Sequence, residues 1–320
     1  MDNVNITTVF LLGFQCPDTI RIILFFALLL IYGLTIAGNL LIILSTTYVR
    51  GLHCPMYVFL TQLSISDCLL TTNIVPFMLH ALLHGGGTMP FTACMSQFNL
   101  FGVSEASACL LLTAMAYDRY VAICKPLHYN LIMDFTLCFK LIMVSWMLSF
   151  SLMLIETINI HKLNFCGPHV IDHFFCDFYP LLELSCSDVS RVRLEVALLC
   201  IPVIICPFII IIISYIYIAF TILKIQSISD RQKAFSTCSS HLIVVSLFYG
   251  TLIGIYALPI RNQALLPGKL LSLLYIVVTP FLNPIVYSLR NREMKDSFTI
   301  LIVYVQNTLH IEDIVSFFIR

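Results

Sequence analysis

Apolar residues in this chain come in long blocks rather than in alternation. Seven blocks reach the length of about 20 mostly apolar residues that a helix needs to cross hydrocarbon. They are 22–48, 56–82, 95–122, 139–159, 195–223, 237–260 and 270–289. The second and third carry the acids Asp67 and Glu105, and the seventh carries Pro280 and Pro284. Proline is tolerated in a spanning helix because neighbouring groups and water satisfy the backbone it frees. Connections between blocks are short, except for the polar loop between the fourth and fifth. The pattern predicts an all-α membrane protein, a bundle of seven transmembrane helices over 22–289. A short N-terminal segment, 1–21, precedes it and a tail, 290–320, follows.

Composition agrees. Of 320 residues, 59% are hydrophobic and 11% charged, where a soluble domain carries about 25% charged residues. Net charge is zero and there is no long basic run, which argues against a nucleic-acid partner. The first twenty residues are polar and mixed rather than basic and then apolar, so the first block reads as an uncleaved anchor and not a signal peptide.

Orientation follows from Lys and Arg near the block ends, which favour the cytoplasmic side. With the N-terminus outside, the inner side receives Arg50, Arg119, Lys125, Lys140, Lys224, Arg231, Lys233, Arg290, Arg292 and Lys295. The outer side receives Arg21, Lys162, Arg191, Arg193, Arg261 and Lys269. Two independent features agree with that bias. Asn5-Ile6-Thr7 is a glycosylation sequon, usable only on the lumenal side. The loop with Cys166, Cys176 and Cys186 falls on the same oxidising side, where disulfides persist. With Cys94 these make four outer cysteines, and four cysteines allow three connectivities.

The third block ends in Met115-Ala116-Tyr117-Asp118-Arg119-Tyr120-Val121-Ala122-Ile123-Cys124. An Asp-Arg pair there can hold the guanidinium against its neighbouring carboxylate until a partner competes for it; the plain alternative is an Arg snorkelling to the head groups. The sixth block opens with Lys233-Ala234-Phe235-Ser236-Thr237-Cys238-Ser239-Ser240-His241 and the second with Leu52-His53-Cys54-Pro55-Met56-Tyr57. The seventh carries Pro280-Phe281-Leu282-Asn283-Pro284-Ile285-Val286-Tyr287-Ser288-Leu289-Arg290-Asn291. Gly38-Asn39, Leu63-Ser64-Ile65-Ser66-Asp67 and Ser214-Tyr215 stand in the first, second and fifth. In this order, at these ends, the motifs resemble those of the rhodopsin-like G-protein-coupled receptors, and within them the odorant receptors, over nearly the whole chain.

That resemblance implies a multi-pass plasma-membrane receptor for a small-molecule odorant, surrounded by membrane lipid. It also implies a heterotrimeric stimulatory G protein of the olfactory type as partner and cyclic AMP as output. Asp118, Arg119, Tyr120, Tyr215, His241, Asn283, Pro284 and Tyr287 would carry coupling and activation, and Asn39 and Asp67 would form a polar core. Cys94 would pair with Cys176, leaving Cys166 for Cys186. The ligand would sit in the outer half of the bundle, lined by Phe101, Gly102, Glu105 and Ala106 of the third block. Leu199 and Val203 of the fifth and Tyr249, Leu252, Ile253 and Tyr256 of the sixth would complete the lining. Each apolar member has an equally good account as ordinary packing. Tyr249 and Tyr256 stand out because seven-residue spacing puts both on one helix face and their hydroxyls need partners. Glu105 can act as an anion favouring cationic ligands or as a neutral hydrogen-bond donor. Many relatives add a Glu that shares a cation with the acid at Asp67, but that position here is Ala108, which puts a sodium site in doubt although Glu105 lies one turn away.

No catalytic constellation is present: no His-Glu-x-x-His, no Cys-x-x-Cys, and no glycine-rich phosphate loop after a strand. Gly85-Gly86-Gly87 reads as a turn. No enzyme, cofactor or metal is expected. The alternatives are a non-odorant receptor of the same architecture for an amine or lipid, and, more remotely, a small-molecule transporter, which calls for an internal repeat with paired broken helices. A short amphipathic helix along the membrane is expected over 290–302.

Overall fold

The computed structural model describes residues 6–166, 169–257, 266–290, 294 and 296–299. Seven helices long and apolar enough to cross a membrane occur among them, one for each expected block. They are α1 (Asp18–Tyr48), α2 (Pro55–His84), α3 (Phe91–Cys124), α4 (Phe135–His161), α5 (Ser190–Leu223), α6 (Ile228–Ala257) and α7 (Leu266–Tyr287). In hydrocarbon every backbone N–H and C=O must be paired within the protein, and apolar blocks of this length meet that need within their own segment, as helices. Most helices run beyond the apolar blocks, since polar turns at the head-group level extend them without cost in hydrocarbon. α6 shows this most, starting nine residues before the block at 237.

The ends are set by local chemistry. Pro55 opens α2, where its missing N–H would be unpaired in any case. Gly85, at φ 71°, closes the same helix in the left-handed region. Asp134 caps α4 by accepting from the Leu137 N–H at 2.8 Å.

α3 is the axis of the bundle. Two thirds (67%) of its most apolar window is buried, against 11% for α1 and 17% for α5. α1, α4 and α5 therefore present their branched and aromatic side chains to lipid, and the exposed Ile and Leu of α1 and α5 belong to that face.

Two helices change pitch before a proline. α5 widens to a π turn over Ile201–Ile205, just ahead of Pro207. α7 does the same over Leu274–Val278, ahead of Pro280, and the Thr279 N–H and hydroxyl both reach the Leu274 carbonyl. The wider turn re-pairs the ladder that the proline interrupts.

Pro284 acts differently. It withholds an N–H from the carbonyl four residues back, that of Pro280, and the Asn39 side-chain amide of α1 donates to that oxygen at 3.2 Å. Gly38 makes the approach possible: a Cβ there would meet the Pro284 ring at 3.1 Å. Gly38-Asn39 and Asn283-Pro284 are thus two halves of one contact. Asn283 in turn donates to Asp67 Oδ2 at 2.8 Å, bringing in α2.

A small sheet lies at the end of the bundle that holds the disulfides, and the sequence reading did not anticipate it. β1 (Thr8–Leu11) pairs antiparallel with β2 (Gly87–Pro90) and parallel with β3 (Val170–Ile171), in the order β2-β1-β3. The expected turn at Gly85-Gly86 leads straight into β2. Val9 and Leu11 are buried while Thr8 and Phe10 face out, the period of two that marks a half-buried strand.

Of the helix expected over 290–302, residues 290, 294 and 296–299 are described; they are helical, with Met294 and Phe298 packed against the core. The rest of that segment, the tail over 301–320 and Asn5 of the sequon lie outside the described residues.

Two substitutions separate these contributions. Asn39→Ala strands the Pro280 carbonyl and is expected to lower stability by about 1–3 kcal/mol. Gly250→Ala, whose Cβ would enter open space on α6, is expected to raise it by about 1 kcal/mol. Thermal unfolding of the purified receptor in detergent reads both, and equal melting temperatures for the two variants would contradict the account.

Candidate functional site

At the disulfide end, the long loop is drawn down onto α3. Cys94 pairs with Cys176 and Cys166 with Cys186, with Cα atoms 5.5 and 5.8 Å apart. Beside the first bond, Gln97 of α3 accepts from the Cys176 N–H at 2.9 Å. The same Gln97 donates to the Asn73 carbonyl of α2 at 3.0 Å, while Asn73 returns a bond to the Gln97 carbonyl at 2.8 Å. Loop, α2 and α3 are locked by one crosslink and three hydrogen bonds. Neither Gln97 nor Asn73 was singled out from the sequence, although a polar residue inside an apolar block is the signal that finds such groups.

Lys269 at the start of α7 pins the lid from the other side. Its ammonium donates to the Gly13 carbonyl at 2.9 Å and pairs with Asp172 at 2.6 Å. Next to it His173 is buried between the rings of Phe174 and Phe175, 4.6 and 4.7 Å away. Burial, with the Lys269 charge adding to it, pushes the His173 imidazole down to about 3. Burial pushes the Asp177 carboxyl up to about 6, against the backbone hydrogen bond it accepts from Phe178.

Beneath this lid a chain of rings crosses the bundle. Phe101 of α3 lies 5.0 Å from Phe175 of the loop and 6.2 Å from Tyr275 of α7. Tyr275 continues to Phe248 of α6 at 5.5 Å, Phe248 to Tyr249 at 5.3 Å, and Tyr249 to Phe208 of α5 at 4.6 Å. Phe101 and Tyr249 were expected here; Phe175, Phe208, Phe248 and Tyr275 were not.

Of the remaining expected lining, Glu105, Val203 and Leu252 are buried, and Ala106 and Leu199 are partly so. Gly102 is turned toward α4, where Met153 fills the space a Cβ would need. Ile253 is 54% exposed, on the outer face of α6 and away from the others. The side chain of Tyr256 lies outside the described residues. The charged groups that act on Glu105 are Asp177 of the loop and Glu156 of α4, not Asp67.

At the opposite end, Asp118 is fully buried and holds two partners. Its Oδ1 accepts from the Tyr129 hydroxyl at 2.8 Å, and its Oδ2 lies 3.5 Å from the Arg119 guanidinium. Tyr129 was not anticipated from the sequence. Tyr120 packs edge-on to Tyr217 of α5 at 6.1 Å. Tyr215 of α5 bonds the His241 Nδ1 of α6 at 2.5 Å, with the rings stacked. Tyr287 is buried, with Asp67 and Arg119 as its charged neighbours.

Between the two ends lies the polar node of Asn39, Asp67 and Asn283. Ser66 donates to the Ser104 carbonyl at 2.9 Å and meets Ser107 at 3.3 Å, one residue from Ala108. Among the described residues no group of three or more His, Cys, Asp or Glu is arranged to hold a metal ion.

The lid yields a pH prediction. Between pH 6.5 and about 3 the unfolded His173 is protonated while the folded one is not, so its folded setting is fully favourable above 6.5 and weakens as pH falls. Asp177 runs in reverse: its folded setting is favourable at acid pH and weakens as pH rises from 3.8 to about 6. Hydrogen exchange over residues 169–184 should show His173→Gln abolishing the acid-side loss alone. A His173 imidazole found protonated at pH 5 by nitrogen NMR would contradict this.

Compared with known proteins, the chain matches the family pattern described as olfactory receptor over residues 28–305. Olfactory receptor 11L1 of Homo sapiens is 45% identical, over 92% of this chain and 91% of its own length. Olfactory receptor 1468 of Rattus norvegicus is 42% identical over 90% and 91%. Among solved structures, squid rhodopsin superposes with a TM-score of 0.70 over 92% of this chain and 88% of its own, at 17% identity.

Proposed function

This chain belongs to the olfactory receptor family of G-protein-coupled receptors, and from that premise we propose that it detects small odorants and signals through a stimulatory G protein. As a member it is a signalling receptor and not an enzyme, and a multi-pass membrane protein of the plasma-membrane type. Its N-terminus and the disulfide-held lid face outside, and its C-terminus faces the cytoplasm. Small, mostly apolar ligands bind beneath the lid against Phe101, Glu105, Ala106, Leu199, Val203, Tyr249 and Leu252. The stimulatory G protein meets the Arg119 end and raises cyclic AMP.

The observation that carries this reading is the division of the bundle. One end has buried rings and two buried polar handles, Glu105 and Tyr249, under a crosslinked lid. The other has the Asp118–Arg119 pair and the Tyr215–His241 tie. Near the latter end, Leu127 is 95% and Leu131 80% exposed, which suits a surface that a protein partner covers. Asn5 is the glycosylation site of the outer segment.

The tie between Tyr215 and His241 joins α5 to α6 and has to part for α6 to move away. A hydrogen bond of about 0.5–1.5 kcal/mol holds a two-state equilibrium by roughly two- to tenfold. Tyr215→Phe is therefore expected to raise basal cyclic AMP at least twofold at equal surface expression. The reading itself is tested by a cyclic-AMP assay in transfected cells over a chemically diverse odorant panel. A receptor that reaches the surface yet never drives a stimulatory G protein would overturn it.

A further inference from the structure

Resting on the ligand site just proposed, we infer that this receptor's pocket selects organic cations, protonated amines above all, with Glu105 as the group that meets the ammonium.

Glu105 projects from the central helix into the protein interior and is only 9% exposed. No hydrogen bond to its carboxyl occurs among the described residues. The charged groups that act on it are Asp177, brought down from the loop beside the Cys94–Cys176 bond, and Glu156 of α4. Both carry its own sign. Every basic side chain described at this end is engaged or exposed elsewhere. Lys269 is held by Asp172, Arg191 by Glu195 and Arg21 by Asp18, while Lys162 and Arg193 point to solvent.

A buried carboxylate without a cation is costly, and like charges nearby increase the cost. Proteins ordinarily meet that cost with an Arg or Lys of their own. A carboxyl so placed can hold a proton or pair with a cation; among the described residues no basic side chain acts on Glu105, so the cation that would pair with it is one the ligand brings.

A second group points the same way. Tyr249 on α6 is only 3% exposed, and its hydroxyl meets no oxygen or nitrogen partner among the described residues. Its polar neighbour is the Cys109 thiol, one helical turn from Glu105 and within its electrostatic reach. A thiol is a weak partner for a phenol. An ammonium has hydrogens to give to a carboxylate and to a hydroxyl oxygen together, and the ring chain from Phe101 to Phe208 offers its carbon skeleton apolar contact and its charge aromatic faces. A neutral alcohol satisfies one of these demands and leaves the charge unmet.

The test uses the full-length receptor at the cell surface with a cyclic-AMP readout. The probes are a straight-chain primary amine, its trimethylammonium salt, and the alcohol, methyl ether and carboxylic acid of the same length, each also applied to cells lacking the receptor. On the unaltered receptor the amine is expected to be at least tenfold more potent than the alcohol, with the acid inactive. Glu105→Gln should cost the amine at least tenfold more potency than it costs the alcohol. Asp177→Asn should lower the potency of amine and trimethylammonium salt together. If the alcohol or ether matches the amine on the unaltered receptor, the inference is overturned, and that comparison needs no variant to fold. Equal losses for amine and alcohol in Glu105→Gln would also overturn it, leaving Glu105 a packing residue. A surface receptor that answers neutral odorants but no amine sinks this inference alone; one that answers nothing in a broad panel sinks the receptor reading beneath it.

Discussion

Inside hydrocarbon a polar group has no water to turn to, and that single constraint arranges most of what this protein does. Backbone groups meet it by forming helices. Side chains meet it by facing one another, so the polar residues of seven separate helices converge on the interior. The Pro280 carbonyl shows the rule at its narrowest: Pro284 withholds its usual partner, and Asn39, on another helix, reaches it. Asn283 is then free to hold Asp67, and three helices are joined through two short side chains. The lid obeys the same rule at the membrane surface, where Gln97 satisfies a loop N–H and a helix carbonyl at once.

Because several of the polar groups are matched in pairs, the bundle has separable ties rather than a uniform core. Tyr215–His241 links α5 to α6, Tyr129–Asp118 holds the loop after α3, and Lys269–Asp172 holds the lid to α7. The neutral tie is worth about 1 kcal/mol net and those to a carboxylate about 1.5–3 kcal/mol. Packed interfaces of this kind are bistable more than they are deformable. Two π turns before prolines, in α5 and α7, place weaker ladder at the helices that carry Tyr215 and Tyr287. The structural cost of those turns is repaid at positions where a change of packing is useful.

Much of this was legible in the sequence because it rests on one-dimensional patterns. Seven apolar blocks became seven helices, and the described motif residues lie on or beside the helices where they were expected, although Lys233–His241 falls inside α6 rather than at its start. The partner of each motif residue was a different matter. Gly38-Asn39 and Asn283-Pro284 are visible as dipeptides, but that one seats the ring of the other is a fact about helix packing. β1 was missed because a four-residue strand in a mixed segment gives too few periods to register, although Val9 and Leu11 alternate correctly. Gln97, Tyr129 and Lys269 were passed over since each became important only when its partner came from elsewhere in the chain. Ile253 was placed in the lining by the family resemblance, beside Leu252, yet a step of one residue on a helix rotates the side chain by about 100°, which is enough to leave it on the outer face.

The ring chain and Glu105 together bear on how a ligand in such a site shifts the Arg119 end. Tyr249 and His241 share α6, eight residues or about 12 Å of helix apart, so a displacement felt at one is carried to the other along a stiff element. A ligand moves the equilibrium only by the difference in its affinity for the two packings. Apolar contacts change little when a helix shifts by an ångström, since rings slide over one another at similar separation. A charge contact changes more. At an effective dielectric of about 20, lengthening an ion pair from 4 to 5 Å alters its energy by about 0.8 kcal/mol, roughly fourfold in a two-state ratio. With Asp177 on the lid, Glu156 on α4 and Glu105 on α3, a cation held at Glu105 would sit among three elements at once. In this pocket, charge is the chemistry best placed to turn binding into a change of packing.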